Sequence, residues 1–266
     1  MRLFLAGLVL VLASTLVWAE TPDQKGLAIA TEAQKRGEGW VDSKVDARMV
    51  LENKHGEKSE RNMRLKSLEV ISDVDGDKSL TYFLSPADVQ GTALLSFTHL
   101  KTPDDQWLYL PALKRVKRIA SANKSGSFVG SEFAFEDLLA QEVARFTYKF
   151  LREEPCPTAE AKGRSCFVTE RFPVYENSGY TRQVSWIDTK DYQVRKIEFF
   201  DRKAEHSKTL VFVDYKFYLG KFWRSQTLLM ENHQTQKKTT LALGPFELNA
   251  KVDQSEFDPD ALQRLR

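Results

Sequence analysis

The sequence predicts a mainly β protein: a strongly bent antiparallel sheet of about ten or more strands, with a few helices against its concave side. Three observations carry this. From Trp40 onward, apolar residues alternate with polar ones in run after run, which is the period of a half-buried strand. Short turn signals such as Leu219-Gly220-Lys221 and Asp188-Thr189-Lys190-Asp191 separate the runs, as in hairpins. Helix-length segments do not alternate with the strands, so the order reads as a meander rather than βαβ units.

The first nineteen residues stand apart. "MRLFLAGLVLVLASTLVWAE" has one positive charge at Arg2, an apolar run from Leu3 to Val17, and a small-x-small close at Val17-Trp18-Ala19. That is the pattern of a secretory signal cleaved after Ala19, and the run is short for a membrane span of about 20 residues. Residues 1–19 are therefore read as a signal peptide, and 20–266 as one mature domain outside the cytoplasm. The full chain has 39 basic and 37 acidic residues, a formal net charge of +2. This balance excludes a general electrostatic binder of nucleic acid. The two cysteines, Cys156 and Cys166, bracket a short polar loop. In an oxidising compartment they are expected to form a disulfide. Without a nearby histidine they make a poor zinc set, and no metal or cofactor is expected.

Helical signals are few. Thr21-Pro22-Asp23-Gln24 reads as an N-cap, a proline at the first helical position and a capping-box glutamine. Leu27, Ala30 and Ala33 give that helix a thin apolar stripe, which Gly37 and Gly39 end. Strands follow from Met49–Leu51, through "RNMRLKSLEVI", "SLTYFLSP", "TALLSFTHL" and "QWLYLP". After residue 143 the alternation becomes more regular, from "ARFTYKFL" to "KKTTLALGPFEL". Between these sets, "SANKSGSFVGSEFAFEDLLAQEV" predicts a Gly/Ser loop and then a helix capped by Ser131, with Phe135, Leu138, Leu139 and Val143 on one face. A last helical turn is expected after Asp258-Pro259, with Leu262 and Leu265 inward.

Enzyme signatures are weak. Gly126-Ser127-Phe128-Val129-Gly130 lacks the Gly-x-Ser-x-Gly spacing of a nucleophile elbow. Of the four histidines, His99 alone sits in an apolar run. "DVDGDKS", residues 73–79, has its glycine at the wrong place for a calcium loop and reads as an Asp-Gly turn. Glu153-Glu154 and Glu136-Asp137 are neighbouring acids without a visible acid–base partner. The basic run Lys114, Arg115, Lys117 and Arg118 beside Trp107, Tyr109, Leu110 and Leu113 reads either as a charge-protected edge strand or as a docking site for an acidic head group or partner.

One stretch resembles a known family. In "DQWLYLPALKRVKRIASANKSGSFVGSEFAFEDL", the W-x-Y-x-P strand, the basic strand, the Gly-Ser-Phe-x-Gly-Ser loop and the Glu-Asp-Leu close resemble the signature of the outer-membrane lipoprotein-sorting, or LolA-like, proteins. "WIDTKDYQVRKIEFFD" is similar to a hairpin of the same family. The resemblance implies a LolA/LolB-like incomplete antiparallel β-barrel with helices closing a hydrophobic cavity. It also implies a periplasmic carrier of the acyl part of a lipid or lipoprotein, with an RND-type inner-membrane transporter as the implied partner. On that reading Trp107, Tyr109, Leu110, Phe128, Phe133, Phe135, Leu138 and Leu139 are the candidate cavity residues, and Gly126 and Gly130 the candidate hinge. The alternatives are a lipid hydrolase using a His–carboxylate pair near His99, and a docking subunit whose core is simply full.

Overall fold

The structure, a computed structural model, describes residues 20–265; the expected signal peptide lies outside them. Helix α1 (Pro22–Gly37) opens the chain. The first group of strands is β1 (Asp42–Glu52), β2 (Lys58–Leu68), β3 (Asp75–Ser85), β4 (Ala93–His99), β5 (Asp105–Leu110) and β6 (Arg115–Arg118). The second is β7 (Phe146–Pro155), β8 (Ser165–Pro173), β9 (Tyr180–Asp188), β10 (Val194–Asp201), β11 (His206–Tyr218), β12 (Phe222–Asn232), β13 (Lys237–Leu243) and β14 (Glu247–Leu248).

All fourteen strands belong to one sheet, ordered β6-β5-β4-β3-β2-β1-β13-β12-β11-β10-β9-β8-β7, with the short β14 beside β1. Each half is a hairpin meander, and the halves join where β1 pairs antiparallel with β13, Met49 opposite Leu241. The sheet does not close: β6 and β7, consecutive in sequence, are its two edges. The barrel is incomplete, as expected, and segment 119–145 connects the edges across its concave face.

Strand alternation divides the core into an inner and an outer layer. The inner face carries Met49, Met63, Phe83, Leu94, Phe199 and Met230, against which Phe128 and Phe133 of the connecting segment pack. On the outer face, Leu80, Ala93 and Leu95 are covered by Phe257 and Leu262 of the C-terminal turns. The expected final turn is therefore real, a 3-10 helix (Pro259–Arg264) capped by the Asp258 side chain. Cys156 and Cys166 form the expected disulfide within a second outer cluster with Val168, Val184 and Trp186.

Two local expectations are corrected. No α-helix forms over 131–143: the Ser131 hydroxyl donates back to the Phe128 carbonyl at 2.7 Å, and only a 3-10 turn (Phe135–Leu138) appears. The segment is held sideways by the sheet, which competes with its own helical bonds. The Asp75-Gly76 pair is not the turn either, because both residues lie in β3. Gly76 lets the Glu142 side chain come close, since a Cβ would sit 2.8 Å from its carboxylate.

Helix α1 begins with the expected capping box: the Gln24 amide donates to the Thr21 hydroxyl at 3.2 Å, and the Thr21 amide to the Gln24 side chain at 2.9 Å. It lies against the inner face of β7. Gly26 makes that approach possible, because a Cβ would fall 2.8 Å from the backbone of Lys149 and Phe150. Alanine is the better helix former by about 1 kcal/mol. Gly26→Ala is nevertheless expected to lower stability, by about 1–3 kcal/mol as an overpacking substitution. Urea denaturation of the mature protein checks this; a gain in midpoint would mean the helix packs less closely than described.

Candidate lipid-binding cavity

The inner face is not completely filled. Beneath residues 137–140 lies an apolar lobe of about 430 Å³ bounded by Val45, Leu65, Leu138, Leu139, Leu228 and Leu241. Beside it, under α1 and residues 140–144, lies a larger space of about 970 Å³ whose walls include Ile187, Ile197 and Tyr148 but also Gln141, Glu142 and Arg171. Trp40, Asp77, Ala140 and Arg224 border both spaces. The larger one opens at the end of the sheet where Gly37 to Trp40 meet the 69–73 turn. These volumes are in the range of small-molecule sites.

Segment 119–145 roofs the apolar lobe and is tied down on many sides. The Glu136 carboxylate, only 2% exposed, accepts from the Gly179 amide at 2.7 Å, the Ser178 hydroxyl at 2.8 Å and the Tyr175 hydroxyl at 3.2 Å. Asp137 accepts from the Ala134 amide at 2.7 Å and the Tyr180 hydroxyl at 3.0 Å. Burial pushes its pKa up to about 6, against the pull of the Lys208 ammonium. Gln106 of β5 donates to the Phe135 carbonyl, Thr239 of β13 accepts from the Glu132 amide, and Lys208 of β11 donates to the Glu132 carbonyl. Finally, Arg145 and Asp104 form a two-pronged ion pair, 2.6 Å on each prong, with both side chains 4% exposed.

The candidate residues divide accordingly. Phe128 and Phe133 are buried in the inner core and Phe135 packs beside them, its ring 5.7 Å from that of Phe128. Leu138 and Leu139 line the apolar lobe. Leu110 has the inward parity of Leu108, which packs on the inner cluster. Trp107 and Tyr109 require a correction: they point to the outer face, where they pack with Leu95 and Phe257 under the C-terminal turns. The sequence shows alternation but not which parity faces the cavity. Of the basic run, Lys114 adopts a left-handed turn conformation with φ 48°. The pairing of Arg115 with Leu110 and Lys117 with Leu108 puts both on the inner side of edge strand β6. Arg118 faces outward and bonds Asp105. Gly130 has φ +79° and follows Val129 at φ 47°. Gly126 has no positive φ; its amide closes a turn onto the Asn123 carbonyl at 2.9 Å.

The polar border of the cavity was not legible in the sequence. Asp77 accepts from the Val70 amide at 2.9 Å. Burial, with Glu142 and Glu69 nearby, raises its pKa to about 7. Glu142 is likewise raised, first by burial, and Arg224 is lowered by burial. The His–carboxylate pair does form: His99 Nδ1 lies 2.6 Å from Asp75 and Nε2 3.2 Å from Asp105. Both ring nitrogens are thereby occupied, and its outward parity in β4 places His99 away from the cavity.

Comparison with known proteins now assigns the family. A crystal structure of an outer membrane lipoprotein-sorting protein domain from Vibrio parahaemolyticus is 49% identical, with TM-score 0.86 over 91% of this chain and 100% of that one. The chain belongs to the outer membrane lipoprotein-sorting protein family. A DUF1329 family protein from Desulfovibrio piger matches at 27% identity and TM-score 0.84, over 91% of this chain and 99% of that one. A LolA superfamily protein from Nitrosomonas europaea, 16% identical with TM-score 0.69 over 88% and 98% of the respective chains, shares the LolA-like fold. A family model described as "Uncharacterized protein" matches residues 75–264. No curated protein matches the chain.

The border carboxylate gives a pH test. A carboxyl whose folded pKa lies above its unfolded value of 3.8 favours folding when protonated, so its contribution is full below about pH 4 and is lost as pH rises through about 7. Asp77→Asn keeps the acceptor for Val70 and removes that loss. The variant is expected to match the parent near pH 4 and to exceed it at about pH 8 in urea midpoint. Parallel midpoints across that range would show that Asp77 is solvated.

Proposed function

We propose that the protein is a periplasmic carrier that takes the acyl part of a lipid or lipoprotein into this cavity. The observation that carries the reading is the apolar lobe roofed by Leu138 and Leu139 and adjoining an open, partly polar space. A chain in the lobe would leave its polar end towards Asp77, Arg224 and solvent. Each methylene removed from water is worth about 0.8 kcal/mol, so one acyl chain repays its transfer through an aqueous compartment. The fold, the absence of any helix long and apolar enough to cross a membrane among the described residues, and the Vibrio domain's description as a lipoprotein-sorting protein support it.

Loading and release then require the roof to move. The proposed hinge is the stretch around Gly126 and Gly130, and the bonds that must break are those of Glu136 and Asp137. The inner-membrane partner implied by the family resemblance is an RND-type transporter; Arg115 and Lys117 on the exposed edge strand are the proposed contacts for it or for a head group. A hydrolase is the weaker reading, because His99 faces outward with both nitrogens engaged.

Native mass spectrometry of the mature protein, followed by organic extraction, tests the carrier. The expected result is chemically intact bound lipid. Leu228→Trp, which fills the apolar lobe from β12, is expected to reduce bound lipid at least tenfold while thermal unfolding remains cooperative. Cleavage products alone would favour the hydrolase. A clean apo mass, with no uptake of offered lipid, would favour the docking subunit.

A further inference from the structure

The exposed apolar side chains are not scattered evenly. Val41 (59% exposed), Ile71 (73%), Val74 (53%), Leu219 (63%) and Phe217 (51%) gather at the end of the sheet where the cavity opens. Their loops are bonded to one another in series. The Glu69 amide donates to the Val41 carbonyl at 2.8 Å, and the Glu69 carboxylate accepts from the Gly39 and Val41 amides. Lys221 Nζ reaches the Glu38 carbonyl at 2.6 Å. Arg36, in the last turn of α1, reaches the Lys190 carbonyl at 2.9 Å. The linker after α1, the 69–74 turn, the 189–193 turn and the 219–221 turn thus form one rim.

Cations accompany the aliphatic tips. Arg36, Arg164, Lys190 and Lys221 border a surface niche of about 550 Å³ beside Trp223. Arg164 is committed to Asp188 and Asp191, and Arg36 to Glu32. Among the described residues, Lys190 and Lys221 have no carboxylate partner within salt-bridge distance. Asp73, exposed on the 69–74 turn, is an acid on the same rim.

We propose that this rim docks on an anionic phospholipid bilayer, its aliphatic loop tips entering the acyl boundary while Lys190 and Lys221 meet head-group phosphates. The chemistry favours a bilayer over a protein surface. The exposed apolar side chains are spread over three loops, Val41 after α1, Ile71 and Val74 on the 69–74 turn, and Leu219 with Phe217 at the end of β11, with Lys190 and Lys221 on the same rim, which suits a fluid, negatively charged interface. A stable protein interface would instead gather them into one closely packed core. The inference rests on the carrier reading for its purpose, since it would bring the cavity mouth to the membrane from which an acyl chain is taken or to which it is delivered.

Vesicle flotation with the mature protein tests it. Binding is expected to vesicles of phosphatidylglycerol and phosphatidylethanolamine, to weaken with salt, and to be poor with phosphatidylcholine alone. Lys190→Glu with Lys221→Glu should reduce partition at least twentyfold, since each neutralised cation near an anionic surface already costs about fivefold. Val74→Asp with Leu219→Asp should also release the protein, and Asp73→Lys should strengthen binding. These positions are exposed, and the thermal midpoint of each variant checks that folding is retained. No binding to the anionic vesicles, or binding that ignores both double variants, overturns the proposal, even if a membrane protein is later found on the same face. Uptake of a soluble fluorescent fatty acid separates the two readings: vesicle binding without uptake refutes the carrier alone, and uptake without vesicle binding refutes the docking face alone.

Discussion

An antiparallel sheet bent this far is left with two unpaired edges, and its concave face cannot remain open to water. Closing the barrel by pairing β6 with β7 would solve both problems. Here the connection between those two strands does the covering instead. Segment 119–145 crosses from the β4–β5 side, where Asp104 holds Arg145, to the β8–β9 side, where Glu136 is bonded by Tyr175, Ser178 and Gly179. The edges are managed separately: β6 is four residues long with three cations, an edge that repels further pairing, while β7 has α1 against it.

Covering a sheet with an irregular segment has an electrostatic cost. A segment without regular helix must find partners for its backbone polar groups elsewhere, and here many come from side chains of the sheet: Thr98, Gln106, Thr239 and Lys208. Glu136, buried, and Asp137, half-buried, do the same work in reverse, taking amides and hydroxyls. Burial of unpaired carboxylates would be prohibitive, and the density of their bonds is what makes it tolerable. Such ties fix the roof in one place but add little net stability, because the desolvation of Asp137, Glu136 and the Arg145–Asp104 pair offsets much of what the bonds return. A roof held by specific bonds whose donors and acceptors water can replace is firm when shut and still inexpensive to lift.

The sequence spoke clearly where the physics is local. The capping box at Thr21 and Gln24, the hairpin turns at Asp188–Asp191 and Leu219–Lys221, the alternation of the strands and the Cys156–Cys166 pair all depend on near neighbours, and all appear in the structure. It spoke poorly where the answer depends on what lies opposite. "QWLYLP" alternates, but only β4 and the C-terminal turns decide that Trp107 and Tyr109 face outward. "SEFAFEDLL" has helical spacing, yet distant acceptors and donors in the sheet outcompete the helix. Glu136-Asp137 reads as two ordinary surface acids until Tyr175 and Tyr180 are placed beside them. Asp77, far in sequence from Arg224, carried no signal as a cavity residue.

The two faces of the sheet also separate two tasks that the chain composition mixes. The outer face is covered in two places, by the C-terminal turns over β3 to β6 and by the disulfide cluster over β8 and β9, and the aromatic residues there contribute packing. The inner face is sealed only in part, and its open portion changes character along its length, from Leu138, Leu228 and Leu241 to Asp77, Glu142 and Arg224. A uniformly apolar pocket would hold an acyl chain without preference for direction. A pocket with charged groups at the mouth favours the chain entering tail first, because reversing it would strip a polar end of water against aliphatic walls. On the proposed carrier reading, the orientation of an acyl chain follows from where these charged groups stand.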